Sequence, residues 1–213
     1  MTASQDNQST TTADSPHRQE SAPTPAGNPL LDVAYIAVFA ALIIALAFVA
    51  IPVGAAGVPI VLQNAAVILA GLILGRTRGF LTALLFLGLG LIGLPVLAGG
   101  KTTLAALGGP TIGYLVGYLV SATVAGSIAY LAPRGNRKAL TIYLALGAIA
   151  ALACQYLCGS VGMMFRADMS FGQALAVNVP FLIPDLVKAA CVVAIASGVH
   201  LSLPDIRRKA FLK

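Results

Sequence analysis

Apolar positions in this chain come in long unbroken stretches, and charged positions come in clusters between them. Residues 33–75, 79–100, 102–133, 139–165, 169–184 and 189–204 contain no Asp, Glu, Lys or Arg. A helix that crosses the hydrocarbon core of a bilayer needs about 20 mostly apolar residues. The first stretch is long enough for two such helices, and Pro52, Gly54, Gly57 and Pro59 cluster where a connection outside the membrane would divide it. The stretches 79–100, 102–133 and 139–165 supply one helix each, with surplus residues left for loops, and residues 175–201 supply the last. The pattern predicts an all-α integral membrane protein with six transmembrane helices in residues 30–203, placed as a multi-pass chain in the cell membrane.

Charge gives the orientation, because Lys and Arg are retained on the cytoplasmic side of short loops. With six spans, Arg18, Arg76, Arg78, Arg134, Arg137, Lys138, Arg207, Arg208, Lys209 and Lys213 fall on one side, against Lys101 and Arg166 on the other. Both termini are therefore expected to be cytoplasmic. Residues 1–29, rich in Ser, Thr, Gln, Pro and Ala, read as a disordered tail without the apolar segment of a signal peptide. Residues 204–213 read as a basic cytoplasmic tail. Only 9% of the chain is charged and 58% is hydrophobic, against roughly one quarter and one half in soluble domains. The net charge of +6 follows from the orientation, and no compact basic module remains to suggest nucleic acid as a partner.

Cys154 and Cys158, one helical turn apart, and Cys191 are too few to hold a metal and read as small apolar side chains packed between helices. His17 and His200 have no evident partner in the sequence. More telling is an ionisable pair deep in the last span. An Asp or Lys at mid-membrane costs about 2.5–3.5 kcal/mol on insertion scales, so such residues face a cavity or one another. Asp185 and Lys188 lie three residues apart on one helix face, with Asn178 two turns earlier on nearly the same stripe. Two readings stay open here. In one, the pair neutralises itself and only holds helices together. In the other, it belongs to a site for a neutral polar group that carries both donors and acceptors. Pro180 and Pro184 favour the second, since the backbone carbonyls they free are tolerated only inside protein or beside a cavity.

A second polar concentration falls on the opposite side from the termini. It includes Gln63 and Asn64, the Gly-rich stretch with Gly99 and Gly100, and Tyr114 and Tyr118 one turn apart. Gly backbone approaches a ligand closely and the tyrosines offer apolar faces with polar tips, although Gly also serves helix packing in membranes. Gly100-Lys101-Thr102 is not a phosphate loop, because Pro95 stands where that pattern requires Gly. Membrane-enzyme readings also lack parts: Gly159-Ser160-Val161-Gly162 is not a nucleophile motif, and a two-Asp protease needs a second buried Asp.

Three blocks then carry a likeness: Gly57-Val-Pro-Ile-Val-Leu-Gln63; Gly93-Leu-Pro-Val-Leu-Ala-Gly-Gly100 with Gly108-Gly-Pro-Thr-Ile-Gly-Tyr-Leu-Val-Gly117; and Pro180-Phe-Leu-Ile-Pro-Asp-Leu-Val-Lys188. Over roughly residues 30–203 the chain resembles the BioY-type, biotin-binding S components of energy-coupling factor transporters. The resemblance implies a six-helix S-component fold and capture of external biotin, with no cofactor and no enzymatic activity on this chain. It implies as partners a membrane coupling protein (T component) and two cytoplasmic ATPases. It also implies that Asp185 and Lys188 touch the ligand; Asn178, Tyr114, Gln63, Gly99 and Gly100, singled out above, complete the expected substrate-binding set. Asp185 would accept from the ureido N–H groups, and Lys188 would serve the ureido oxygen or the valerate carboxylate. Two positions depart from the family pattern, Pro184 before the Asp and Ile112 before Gly-Tyr. In the first span, Ala37, Ala41 and Ala45 form a smooth stripe like the one on which S components dock on their coupling protein, with ordinary internal packing as the rival. Alternatives to ATP-driven biotin capture are a self-sufficient biotin carrier and an S component for another vitamin.

Overall fold

The computed structural model of the chain describes residues 29–51, 60–203 and Ile206. Along it run α1 (Pro29–Ala47), β1 (Ala50–Ile51), β2 (Ile60–Val61), α2 (Gln63–Leu74) and α3 (Arg76–Leu91). A 3₁₀ turn (Ala98–Gly100) follows, then α4 (Thr103–Leu107), α5 (Ile112–Ala129), α6 (Arg137–Ala167), α7 (Phe171–Ala176) and α8 (Val179–Ser202). β1 and β2 form a short antiparallel ribbon with Ala50 opposite Val61, so the division of the first apolar stretch falls where the Pro and Gly cluster lies. Pro52, Gly54, Gly57 and Pro59 themselves, and the tails at 1–28 and 207–213, lie outside the described residues.

Four helices, α1, α5, α6 and α8, are long and apolar enough to cross a bilayer, which makes this a multi-pass membrane protein. α2 has 12 residues and α3 has 16, about 18 and 24 Å of helix at 1.5 Å per residue. The third helix ends earlier than the apolar run predicts, because Gly93 at φ 103° and Pro95 turn the chain out after Leu91. Residues 92–111 thus form a structured loop over one end of the bundle, with α4 inside it. The last run is also divided: α7 ends at Ala176, and α8 starts afresh after Asn178. Pro180 fits the first turn of α8, where its missing N–H has no intrahelical acceptor, whereas Pro184 lies inside and leaves the Pro180 carbonyl without its helical donor.

α2 is the centre of the molecule, buried at every position but Asn64. Lipid is as apolar as Leu, so close packing and buried polar contacts must hold such helices together. Glycines provide the closeness. A Cβ on Gly71 of α2 would lie 2.3 Å from the Ala122 carbonyl oxygen of α5, and one on Gly113 of α5 would lie 2.1 Å from the Cys158 carbonyl oxygen of α6. Both obstacles are backbone and have no rotamer to move into.

Three sequence readings are corrected. Arg78 is not a loop charge. It is 1% exposed and paired with the equally buried Asp32 of α1 at 3.3 Å, so Asp185–Lys188 is one of two buried ion pairs among the described residues. Arg78 also donates to the carbonyls of Leu74 at 3.0 Å and Ile206 at 2.9 Å, and its guanidinium sits 5.8 Å from the Tyr35 ring centroid. His200 is buried, with Nε2 2.9 Å from the Leu72 carbonyl oxygen and its ring edge-on to Tyr130. Of the cysteines, Cys154 and Cys158 are half-buried while Cys191 is exposed on α8, so packing between helices does not describe it.

Gly71→Val is expected to lower stability by at least about 1–3 kcal/mol, the usual cost of overpacking. Gly88→Ala, where an added Cβ meets nothing within 4 Å, should leave the thermal midpoint in detergent unchanged or raised. Equal midpoints for the two variants would contradict the packing described.

Candidate functional site

Beneath the 92–111 loop lies a cavity of about 400 Å³, walled by α2, α5, α6 and α8. α8 supplies Asp185 and Lys188, and Asn178 lies just before its first residue. The two charges contact each other as an i,i+3 pair, as their spacing requires. Both are largely buried, and the pair is completed from other helices. Asn64 on the first turn of α2 donates from Nδ2 to Asp185 Oδ1 at 3.1 Å and accepts at Oδ1 from Lys188 Nζ at 2.9 Å. Lys188 Nζ also donates to the Val61 carbonyl at 2.8 Å, and Tyr156 of α6 donates its hydroxyl to Asp185 Oδ2 at 2.6 Å.

This arrangement answers the cost of the charges. Removing one partner from a buried ion pair costs about 3–5 kcal/mol, because the remaining charge is stranded. Lys188 spends all three N–H donors on Asp185, Asn64 and Val61, and Asp185 accepts three hydrogen bonds on its two oxygens. What is left facing the cavity is mainly acceptor capacity: the second lone pair of Asp185 Oδ2 and the hydroxyl oxygens of Tyr156 and Tyr114.

A second polar cluster adjoins it. Tyr114 of α5 donates to Asn178 Oδ1 at 2.5 Å, and Asn178 Nδ2 donates to Ser160 Oγ at 3.0 Å and the Ala174 carbonyl at 3.3 Å. Gln155 Nε2 donates to the Asn64 carbonyl at 3.3 Å and to Ser121 Oγ at 3.0 Å. Tyr118 also lines the cavity. Leu97, Leu115, Met163 and Phe181 supply apolar wall.

Of the residues singled out from the sequence, Gln63, Tyr114, Asn178, Asp185 and Lys188 meet on this cavity. Gln63 spends its amide Nε2 on the Val96 carbonyl at 2.8 Å, fixing the loop to α2. Gly99 and Gly100 do not line the cavity. They adopt φ 74° and 73°, which shapes the turn that brings their neighbours Ala98 and Lys101 to it. Asn64, named in the second polar concentration, and Tyr156, Gln155 and Ser160 were not among the site residues expected from the sequence. Their signal was present, as uncommon polar side chains inside apolar runs, but only the packing of α2 and α6 against α8 turns them toward the pair. The pair is hydrogen-bonded within the protein and also lines the cavity.

Comparison with known proteins agrees with this architecture. The family model described as the BioY family matches residues 16–205. The biotin transporter BioY of Rhodobacter capsulatus is 42% identical over 168 residues, 74% of this chain and 86% of that protein. The biotin transporter BioY of Rhizobium etli is 33% identical over 187 residues, 84% and 98% of the two chains. Among solved structures, the S-component for biotin from an ECF-type ABC transporter superposes with a TM-score of 0.70 at 30% identity, covering 80% of this chain and 91% of that one. Matched along nearly its whole helical region in sequence and in fold, this chain belongs to the BioY family.

Proposed function

We propose that this chain is the substrate-capturing S component for biotin in an energy-coupling factor transporter, with a membrane coupling protein (T component) and two cytoplasmic ATPases as its partners. The observation that carries the reading is the hydrogen-bonded Asp185–Lys188 pair on the wall of a 400 Å³ cavity in a chain of this family. That volume lies within the roughly 300–1,000 Å³ of small-molecule sites. The spare acceptors of Asp185, Tyr156 and Tyr114 suit the N–H groups of a ureido ring. In this reading Tyr118, on the same wall, donates to the ureido oxygen, and the apolar wall suits a thioether ring and an alkyl chain.

In this reading the chain crosses the membrane six times with both termini in the cytoplasm, so the 92–111 loop faces outside. Residues 30–203 form the membrane domain, between a 29-residue N-terminal tail and the basic residues 204–213. Biotin enters from outside beneath the loop, which Gln63 holds at Val96 and Gly99 and Gly100 shape. The subunit then turns on its coupling protein as the ATPases work. A partner can drive such a change only by binding the two orientations with different affinity. Ala37, Ala41 and Ala45 are all exposed on α1, flanked by Val38 and Leu42, which favours docking over internal packing for this stripe. The chain itself performs no covalent chemistry.

Asp185→Asn and Lys188→Ala should each weaken biotin binding by about 1–3 kcal/mol, roughly 5- to 150-fold in Kd, by isothermal titration of the purified protein. Wild-type affinity in both variants would remove the pair from the site. Ala41→Trp should abolish ATP-driven biotin uptake in liposomes that contain the complete transporter while leaving biotin binding intact. Unimpaired uptake would move the docking face elsewhere.

A further inference from the structure

α6 and α8 do not close on each other along their outer faces. Between them runs a groove of about 550 Å³, separate from the cavity and lined by Ala145 and Ala148 of α6 and Ala189, Ala190 and Ala194 of α8. Single methyl side chains are too short to fill the space between two helices. Ala148 and Ala189 are buried, while Ala190 and Ala194 are exposed, so the groove opens on the outside of the bundle, where the hydrocarbon lies. The two helices run antiparallel, since Ser160 and Tyr156 of α6 meet Asn178 and Asp185 at the start of α8. Thr141 and Ser197 therefore mark one end of the groove and Ile149 and Leu186 the other. From Thr141 to Ile149 is about 12 Å of helix.

The Thr141 end is the polar one. Ser197 lines the groove, and its hydroxyl oxygen is buried with no hydrogen-bond partner among the described residues. Thr141 donates to the Arg137 carbonyl at 3.2 Å, which places Arg137 one turn, about 6 Å, beyond it on the same face. Arg137 and Lys138 are both exposed, and the ion pairs among the described residues, Asp32–Arg78 and Asp185–Lys188, involve neither. They also open α6, whose first-turn amides and dipole favour an anion. This mouth is remote from the 92–111 loop: α6 is 31 residues, about 45 Å, long, and it is Arg166 at its far end that reaches the loop. Along the groove the order is cations, then a hydroxyl lacking an acceptor, then apolar wall. A glycerophospholipid has the complementary order of phosphate, ester carbonyl and acyl chain, with the glycerol between the first two.

We infer that the α6–α8 groove is a binding site for an anionic phospholipid. Its acyl chain lies along the alanines, an ester carbonyl accepts from Ser197, and its headgroup rests on Arg137 and Lys138. Charge complementarity at the mouth selects a lipid over an apolar helix, which would leave both cations and the hydroxyl unserved. The site does not depend on biotin as the transported ligand. It holds one flank of α8, the helix that carries Asp185 and Lys188, against α6 through lipid.

The chain contains no Trp, so a single introduced Trp reports on the lipid beside it. Ile142→Trp stands on the outer edge of the groove, one turn from Lys138, and Val116→Trp on α5 serves as the distant reporter; both positions are more than half exposed. The full-length protein is placed in vesicles of dioleoyl phosphatidylcholine and dioleoyl phosphatidylglycerol, and each lipid in turn is replaced by its dibrominated, quenching form. At Ile142→Trp, phosphatidylglycerol should be favoured over phosphatidylcholine by about tenfold, the scale for one or two basic residues at an anionic headgroup. Val116→Trp should show no preference. Adding Arg137→Gln and Lys138→Gln should abolish the preference at Ile142→Trp, and so should Ala194→Phe, which fills the groove without touching the charges. The inference is overturned if the two reporters show equal preferences or if the preference survives the paired Gln substitutions. Survival in Ala194→Phe overturns it as well, because the attraction would then be one of surface charge alone. Arg137, Lys138 and Ala194 are exposed, so these variants are expected to elute from size exclusion as wild type does.

Discussion

An ionised pair buried in an apolar bundle has to be satisfied from all sides, and most of this structure around the cavity follows from satisfying Asp185 and Lys188. Individual interhelical hydrogen bonds in membranes contribute only about 0.6 kcal/mol on average, whereas a stranded buried charge costs about 3–5 kcal/mol. The magnitudes decide the role of the network. Asn64, Tyr156 and the Val61 carbonyl matter less as adhesive than as partners without which the charges would be prohibitive. Meeting that demand draws α2, α6 and α8 to one point, and the cavity opens beside it.

α2 shows the same logic at its other end. Its first turn meets Asp185 and Lys188 through Asn64, and its last residue, Leu74, gives its carbonyl to Arg78, which is paired with Asp32 of α1. A helix of 12 residues, about 18 Å long, is thus held at each end by a separate buried ion pair. Arg78 reaches the Ile206 carbonyl as well, so Ile206 meets the same point. Between the two anchors, Gly71 lets α2 lie against α5 at backbone distance, which makes the short central helix a rigid spindle.

That rigidity is unevenly distributed. The helices bearing the pair are locked by glycine contacts and hydrogen bonds, whereas the 92–111 loop is tied to them mainly through Gln63 at Val96, Gly90 against Thr103 and Arg166 at Leu107. The helices around the pair are thus stiff, and the loop above them is lightly tied.

How much of this was legible beforehand depends on the range of the signal. The membrane class and the break at Pro52–Pro59 followed from runs of apolar residues and from proline and glycine chemistry, which act locally. Asp185 and Lys188 were visible because a charge in an apolar run needs a reason wherever the helix ends up. Asn64 was not distinguishable from Gln63, since adjacent residues on a helix point about 100° apart and only the packing of α2 selects which one reaches α8. Arg78 looked like a loop charge because Asp32, its partner, lies 46 residues away. Composition, periodicity and lone intramembrane charges are properties of the chain, and the sequence determined them unaided. Which polar side chains share a cavity was decided by tertiary structure, because hydrogen bonds between helices join residues up to 128 positions apart that no local pattern relates.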